Sequence, residues 1–139
     1  LNLAAIRNLC RDILDEPDGV RFSNADLNTW IDRGHKRFVA QSAILQEIAT
    51  TTTIVGQRSY TLPDDWLASE VIERQLTWDD RILQYADYNQ FLPYLEESTR
   101  GTPWLYSIYD RQIHLEPIPD RAKTLKLVYL KTPLALLLD

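Results

Sequence analysis

Residues 49–66 read ATTTTIVGQRSYTLPDDW. The run from Ala49 to Val55 is rich in β-branched residues, which favours extended backbone. Gly56-Gln57 places glycine first, as a type II′ turn requires, and RSYTL then returns as the second strand of a hairpin. Pro63-Asp64-Asp65 ends it. This stretch divides the chain, with helical spacing before it and strand spacing after it.

Working back, Leu3, Ile6, Leu9, Cys10 and Ile13 recur at helical intervals, so residues 3–15 are predicted to form an amphipathic helix. Pro17, Asp18 and Gly19 stop it. Ser23 caps a second helix with Asp26 in the capping-box position, and Leu27, Trp30, Ile31, Gly34 and Phe38 form its apolar stripe to about residue 45. Working forward, strands are expected at 69–78 and, after the Asp79-Asp80 turn, at 81–84. A helix follows at 87–97 despite Pro93, then strands at 104–109, 112–116 and 124–131. Leu125, Leu127 and Tyr129 share one face of the last strand, with Val128 and Leu130 on the other. A strand apolar on both faces belongs in the middle of a sheet or against a partner. The fold class is α+β: an N-terminal helical hairpin, then an antiparallel β-sheet or sandwich domain with one short helix. The division expected is a helical part at 1–48, a β-domain at 49–132, and the start of a C-terminal segment at 133–139.

The chain of 139 residues is 45% hydrophobic and 25% charged, which is enough for a core. The net charge of −5 argues against a general nucleic-acid binder. Neither half compensates, with six Lys/Arg against seven Asp/Glu to residue 49 and nine against thirteen beyond. No run approaches the roughly 18 apolar residues of a membrane span. The chain is therefore expected to be soluble and intracellular, or carried in an assembled particle. The single Cys10 allows no intrachain disulfide and fits a small buried hydrophobe. No methionine occurs, and PLALLLD is apolar almost to its last residue. The native protein is expected to continue beyond it, or a partner to cover it.

No catalytic grouping emerges. His35 and His114 lie in different elements, with no HExxH, CxxC or His/carboxylate pair at ligand spacing. There is no nucleophile elbow and no glycine-rich phosphate loop. Asp64-Asp65, Asp79-Asp80 and Glu96-Glu97 read as turn and cap residues rather than a glycosidase pair facing across a cleft. The reading is a non-enzyme with no catalytic residue, no metal and no cofactor. Two binding readings stand beside it. The helical hairpin could read DNA through Asn28, Arg33, Lys36 and Arg37, against which Asp26 and Asp32 share the helix. Trp66, Trp78 and Trp104 could stack on glycans, although core or subunit interface accounts for tryptophan more economically.

The order of the motifs adds a resemblance. A capped SxxDLxxWI helix (residues 23–31) precedes GQRSYTLPDDW (56–66), GTPWLY (101–106), IHLEPIPD (113–120) and LKLVYLKTPL (125–134). This succession resembles the head-to-tail adaptors of tailed bacteriophages, including the tail tubular proteins of short-tailed phages. Tyr60, Leu62, Pro63, Gly101, Pro103, Pro117 and Pro119 are its scaffold residues. Pro117 and Pro119 are expected to hold an extended link that resists mispairing at a sheet edge.

What the resemblance implies is a ring of about twelve subunits beneath the portal, built from the helical part and continuing the DNA channel to the tail. The implied partners are the portal protein, a tail or nozzle protein, further copies of the chain, and DNA in passage without specific binding. No membrane is involved. The implied location is the virion neck, after assembly in the host cytoplasm. Candidate subunit-interface residues are Trp30, Arg33, Arg37 and Phe38, and candidate portal-contact residues are Leu134, Leu136, Leu137 and Leu138. The acidic balance suits a conduit, because neutralising phosphates would add salt-dependent grip.

Overall fold

The computed structural model describes residues 2–67 and 75–134. It divides into two compact units, one comprising the helical N-terminal residues to Leu45 together with the chain from Thr132, the other Gln46–Lys131.

In the helical unit, α1 (Leu3–Ile13) is capped by Asn2, whose side chain accepts from the Ala5 amide at 2.9 Å. A complete capping box opens α2 (Asn24–Ser42): Ser23 Oγ accepts from the Asp26 amide at 3.2 Å, and the Asp26 carboxylate accepts from the Ser23 amide at 3.1 Å. Bonds from the Ser23 side chain, then its backbone, hold the Asp26 carboxyl below its ordinary pKa. The helix ends three residues earlier than its periodicity suggests. Ala43 turns left-handed at φ 54°, and its amide closes on Val39 at 3.0 Å. An alanine there carries none of the stop signal that glycine would.

The second unit packs two larger sheets as a sandwich, with a separate two-stranded parallel pair. Its strands are β1 (Gln46–Thr52), β2 (Ser59–Thr61), β3 (Trp66–Leu67), β4 (Gln75–Trp78), β5 (Arg81–Ile82), β6 (Gln84–Tyr85), β7 (Arg100–Gly101), β8 (Leu105–Tyr109), β9 (Gln112–Glu116), β10 (Ile118–Pro119) and β11 (Thr124–Lys131). One sheet runs β1-β11-β4-β5, with β3 also on β11; the other runs β2-β9-β8-β6. Between them Tyr60, Leu62, Leu76, Trp78, Leu115 and Leu127 form the centre of one core cluster. As its two-sided apolarity requires, β11 lies inside its sheet, between β1 and β4. The short helix α3 (Tyr88–Leu95), with Pro93 inside it, buries Phe91 against Ala86 and Leu105. The architecture is α+β.

Three local expectations change. Residues 49–55 and 58–62 do not form a hairpin: β1 pairs with β11, whereas β2 pairs with β9 in the other sheet. Gly56, at φ 82°, turns the chain between sheets rather than between paired strands. The strand expected at 81–84 breaks at buried Leu83, where the chain crosses from β4's partner to β8's partner. The proline link is itself paired, β10 lying parallel to β7 with the Ile118 amide donating to Thr99 at 3.0 Å. Of the strand expected at 69–78, residues 75–78 form β4 and residues 69–74 lie outside the described residues.

Candidate partner-binding surfaces

The helical unit is cross-linked on one side by largely part-buried polar groups. Arg11 donates to Glu16 at 3.3 Å, to the Phe22 carbonyl at 3.1 Å and to Asn24 Oδ1 at 2.9 Å. Glu16 in turn accepts from the backbone amides of Arg21 and Phe22. Gly19, at φ 65°, passes so close that a Cβ would stand 3.1 Å from the Arg11 guanidinium. Farther along, Arg7 donates to Asn28 Oδ1 at 3.0 Å. These bonds fix the loop and the relation of the two helices. The sequence shows the residues but not that they converge.

With its polar ties satisfied there, the hairpin presents an apolar groove lined by Cys10, Ile13, Leu14, Leu27, Trp30 and Ile31, about 270 Å³ in volume. Ile13 is 81% exposed, and Trp30, 46% exposed, packs its edge on Phe22 at 5.1 Å. Cys10 is half-buried at the groove rather than a sealed core residue. Phe38 is 59% exposed, and Arg33 and Arg37 are exposed on the same helix. The expected stripe of α2 is thus only partly interior: Leu27 is buried, Ile31 half-buried, and Trp30 and Phe38 stay in solvent. Leu134 is 84% exposed. Leu136, Leu137 and Leu138 lie outside the described residues.

The scaffold residues hold the sandwich. Tyr60 OH accepts from the Ile54 amide at 3.0 Å and donates to the Gln57 carbonyl at 2.9 Å, so one buried hydroxyl clamps the turn that carries Gly56. Burial raises its pKa above the ordinary phenol value. Leu62, Pro103 and Pro119 are buried; Pro63, Gly101 and Pro117 are half-buried. The Pro63 carbonyl accepts from the Trp66 amide at 3.1 Å, and Gly101 leaves just the room of ordinary contact beside Pro117.

The other candidate groups have structural partners. Asn28 is bonded to Arg7, and Lys36 pairs with Asp32 at 2.7 Å, while Lys36, Arg33 and Arg37 are all exposed. Trp78 is buried and Trp66 half-buried, while Trp104 is exposed, so Trp104 alone of the three is open to a ligand. His114 Nδ1 lies 2.9 Å from Ser59 Oγ, and burial lowers its pKa. Asp65 accepts from Tyr129 OH at 2.8 Å; burial is the main reason that phenol is pushed up to about 12. Among the described residues no three His, Cys, Asp or Glu side chains gather as a metal site, and no helix is long and apolar enough to cross a membrane.

Comparison with known proteins identifies the family. The chain matches the SU10 adaptor protein family over residues 1–139. It belongs to that family and, as the motif order implied, is a bacteriophage head-to-tail adaptor. No curated protein matches it.

Proposed function

We propose that this SU10-family adaptor forms a ring beneath the portal vertex, joins capsid to tail in the virion neck, and leaves an open path for DNA. The observation that carries the reading is the exposed apolar surface of the helical hairpin. Large side chains at Ile13, Trp30 and Phe38 remain in solvent on an element already cross-linked through Arg7–Asn28 and Arg11–Glu16. Burying such area yields about 25 cal/mol per Å². One contact of this kind is modest, but closure of a ring makes each subunit bivalent and multiplies the gain.

Within this reading Trp30, Arg33, Arg37 and Phe38 face a neighbouring subunit. Leu134, with Leu136, Leu137 and Leu138, docks on the portal by burying leucine side chains. A tail or nozzle protein closes the other side. The net charge of −5 supports a conduit that does not grip phosphates. The subunits are made in the host cytoplasm and are retained in the virion without catalysis or cofactor. Light scattering of the purified protein, alone and with portal rings, tests the proposal: a ring, free or formed on the portal, is the expected species.

A further inference from the structure

Among the described residues, β1 is an outer strand of its sheet from Ile48 to Thr52. All seven of its residues pair in unbroken register with β11, and among the described residues no strand lies on its other side. Six of the seven are exposed. Among the described residues, the other path ends of the two larger sheets are short: β2 has three residues, and β5 and β6 have two each. A long edge is normally protected by proline, lysine or a bulge. β1 has none of these, and its single charge, Glu47, is taken up by Lys131 at 2.8 Å.

Hydrogen-bond parity tells which groups face outward. The Thr53 amide donates to the Lys123 carbonyl at 2.8 Å, so by the two-residue alternation Thr51 and Ala49 also turn their backbone groups to β11. On the far side of β11 the Asp79 amide donates to Thr124 at 3.0 Å, which confirms the alternation. Ile48, Thr50 and Thr52 therefore aim their amides and carbonyls away from the sheet. Beside this edge a cleft of about 190 Å³ opens between the sheets, lined by Ala49, Thr51, Tyr60, Leu62, Ile113 and Leu127. The small residues Ala49 and Thr51 on the inward face of β1 leave the space.

We propose that β1 receives an extended, uncharged segment of another virion protein as an added strand, seating a branched apolar side chain in this cleft. Only extended backbone satisfies a row of outward amides and carbonyls. The cleft calls for an aliphatic residue at the position opposite Ala49 or Thr51. A second copy's β1 does not meet that need, because its inward residues are Glu47, Ala49 and Thr51, one charged and two small. The proposal rests on the adaptor reading for the particle in which the partner is found.

The test is hydrogen exchange of the peptide spanning residues 46–53, in the isolated protein and in intact virions. The Ile48, Thr50 and Thr52 amides exchange freely in the isolated protein and slow by about tenfold or more in the virion. Thr50→Pro removes an outward amide without breaking a bond to β11, so the protein melts as a folded chain but enters virions about tenfold less. Ala49→Leu, which fills the cleft from within, gives the same loss. Protein incorporated with unchanged exchange at β1, or normal incorporation of both variants, overturns strand addition and leaves the adaptor reading standing. Protection already present in the concentrated isolated protein assigns the edge to a second copy and overturns the proposal. Absence of the wild-type protein from virions overturns both readings.

Discussion

Trp78 donates its indole N–H to Thr53 Oγ1 at 3.1 Å inside the sandwich, where both side chains are almost wholly buried. The same hydroxyl accepts from the Lys123 amide at 3.0 Å and lies 3.1 Å from the Lys123 carbonyl. One threonine thus joins the end of β1, the end of β4 and the approach to β11. Arg121 lies over the Trp78 ring at 5.8 Å and closes the site from outside.

Thr53→Val keeps the shape and deletes the hydroxyl, leaving the indole N–H without its acceptor. Stranding a buried donor costs about 1–3 kcal/mol. Urea denaturation is expected to show a lower midpoint with unchanged slope, while Thr53→Ser retains most of the stability.

Arg58 and Glu116 form a second buried junction at 3.0 Å, and Arg58 also bonds the Leu95 and Glu97 carbonyls at the end of α3. Burial raises the Glu116 pKa above 4.5, partly countered by Arg58. The folded protein therefore holds this proton more tightly than the unfolded chain. The contribution is fully present below about 4.5 and is lost as pH rises through the higher folded value. Subtracting the stability profile of Glu116→Gln from that of the wild type should expose this fall. Arg58→Met leaves the carboxylate buried and unpaired, at a cost of about 3–5 kcal/mol near neutral pH.

These two junctions mark how far the sequence can be read. The two-sided apolarity of Leu125 to Leu130 places β11 inside a sheet, and Ser23 with Asp26 starts α2, because each signal is local. Thr53 is indistinguishable in a run of four threonines until Trp78 and Lys123 meet it. Arg58 lies 58 positions from Glu116, so their pairing has no local mark. The Gly56 turn has hairpin chemistry, yet its flanking strands find better partners in β11 and β9. Non-local pairing prevailed over turn propensity there. At the helical surface, the periodicity identified the apolar residues of α2 but could not separate Leu27, which is buried, from Trp30 and Phe38, which are not.

The exposed groove predicts a separation of folding from assembly. Ile13→Gln with Phe38→Gln alters side chains that are mostly in solvent, so each changes stability by only about 0.5 kcal/mol. Thermal melting is expected to stay close to wild type while self-association on portal rings weakens about tenfold or more. Equal loss of both would make these residues part of the fold rather than of an interface.

The terminal leucines predict a distinct defect. Leu136→Asp together with Leu137→Asp is expected to weaken co-sedimentation with portal rings and leave denaturation of the sandwich unchanged. Unaltered co-sedimentation would remove this segment from the portal contact.

The most direct measurement is the native mass of the protein, alone and mixed with portal rings, by light scattering with electron-microscope class averages. The account predicts a closed ring of subunits, either free or assembled on the portal. A monomer or dimer that leaves portal rings unchanged would contradict it.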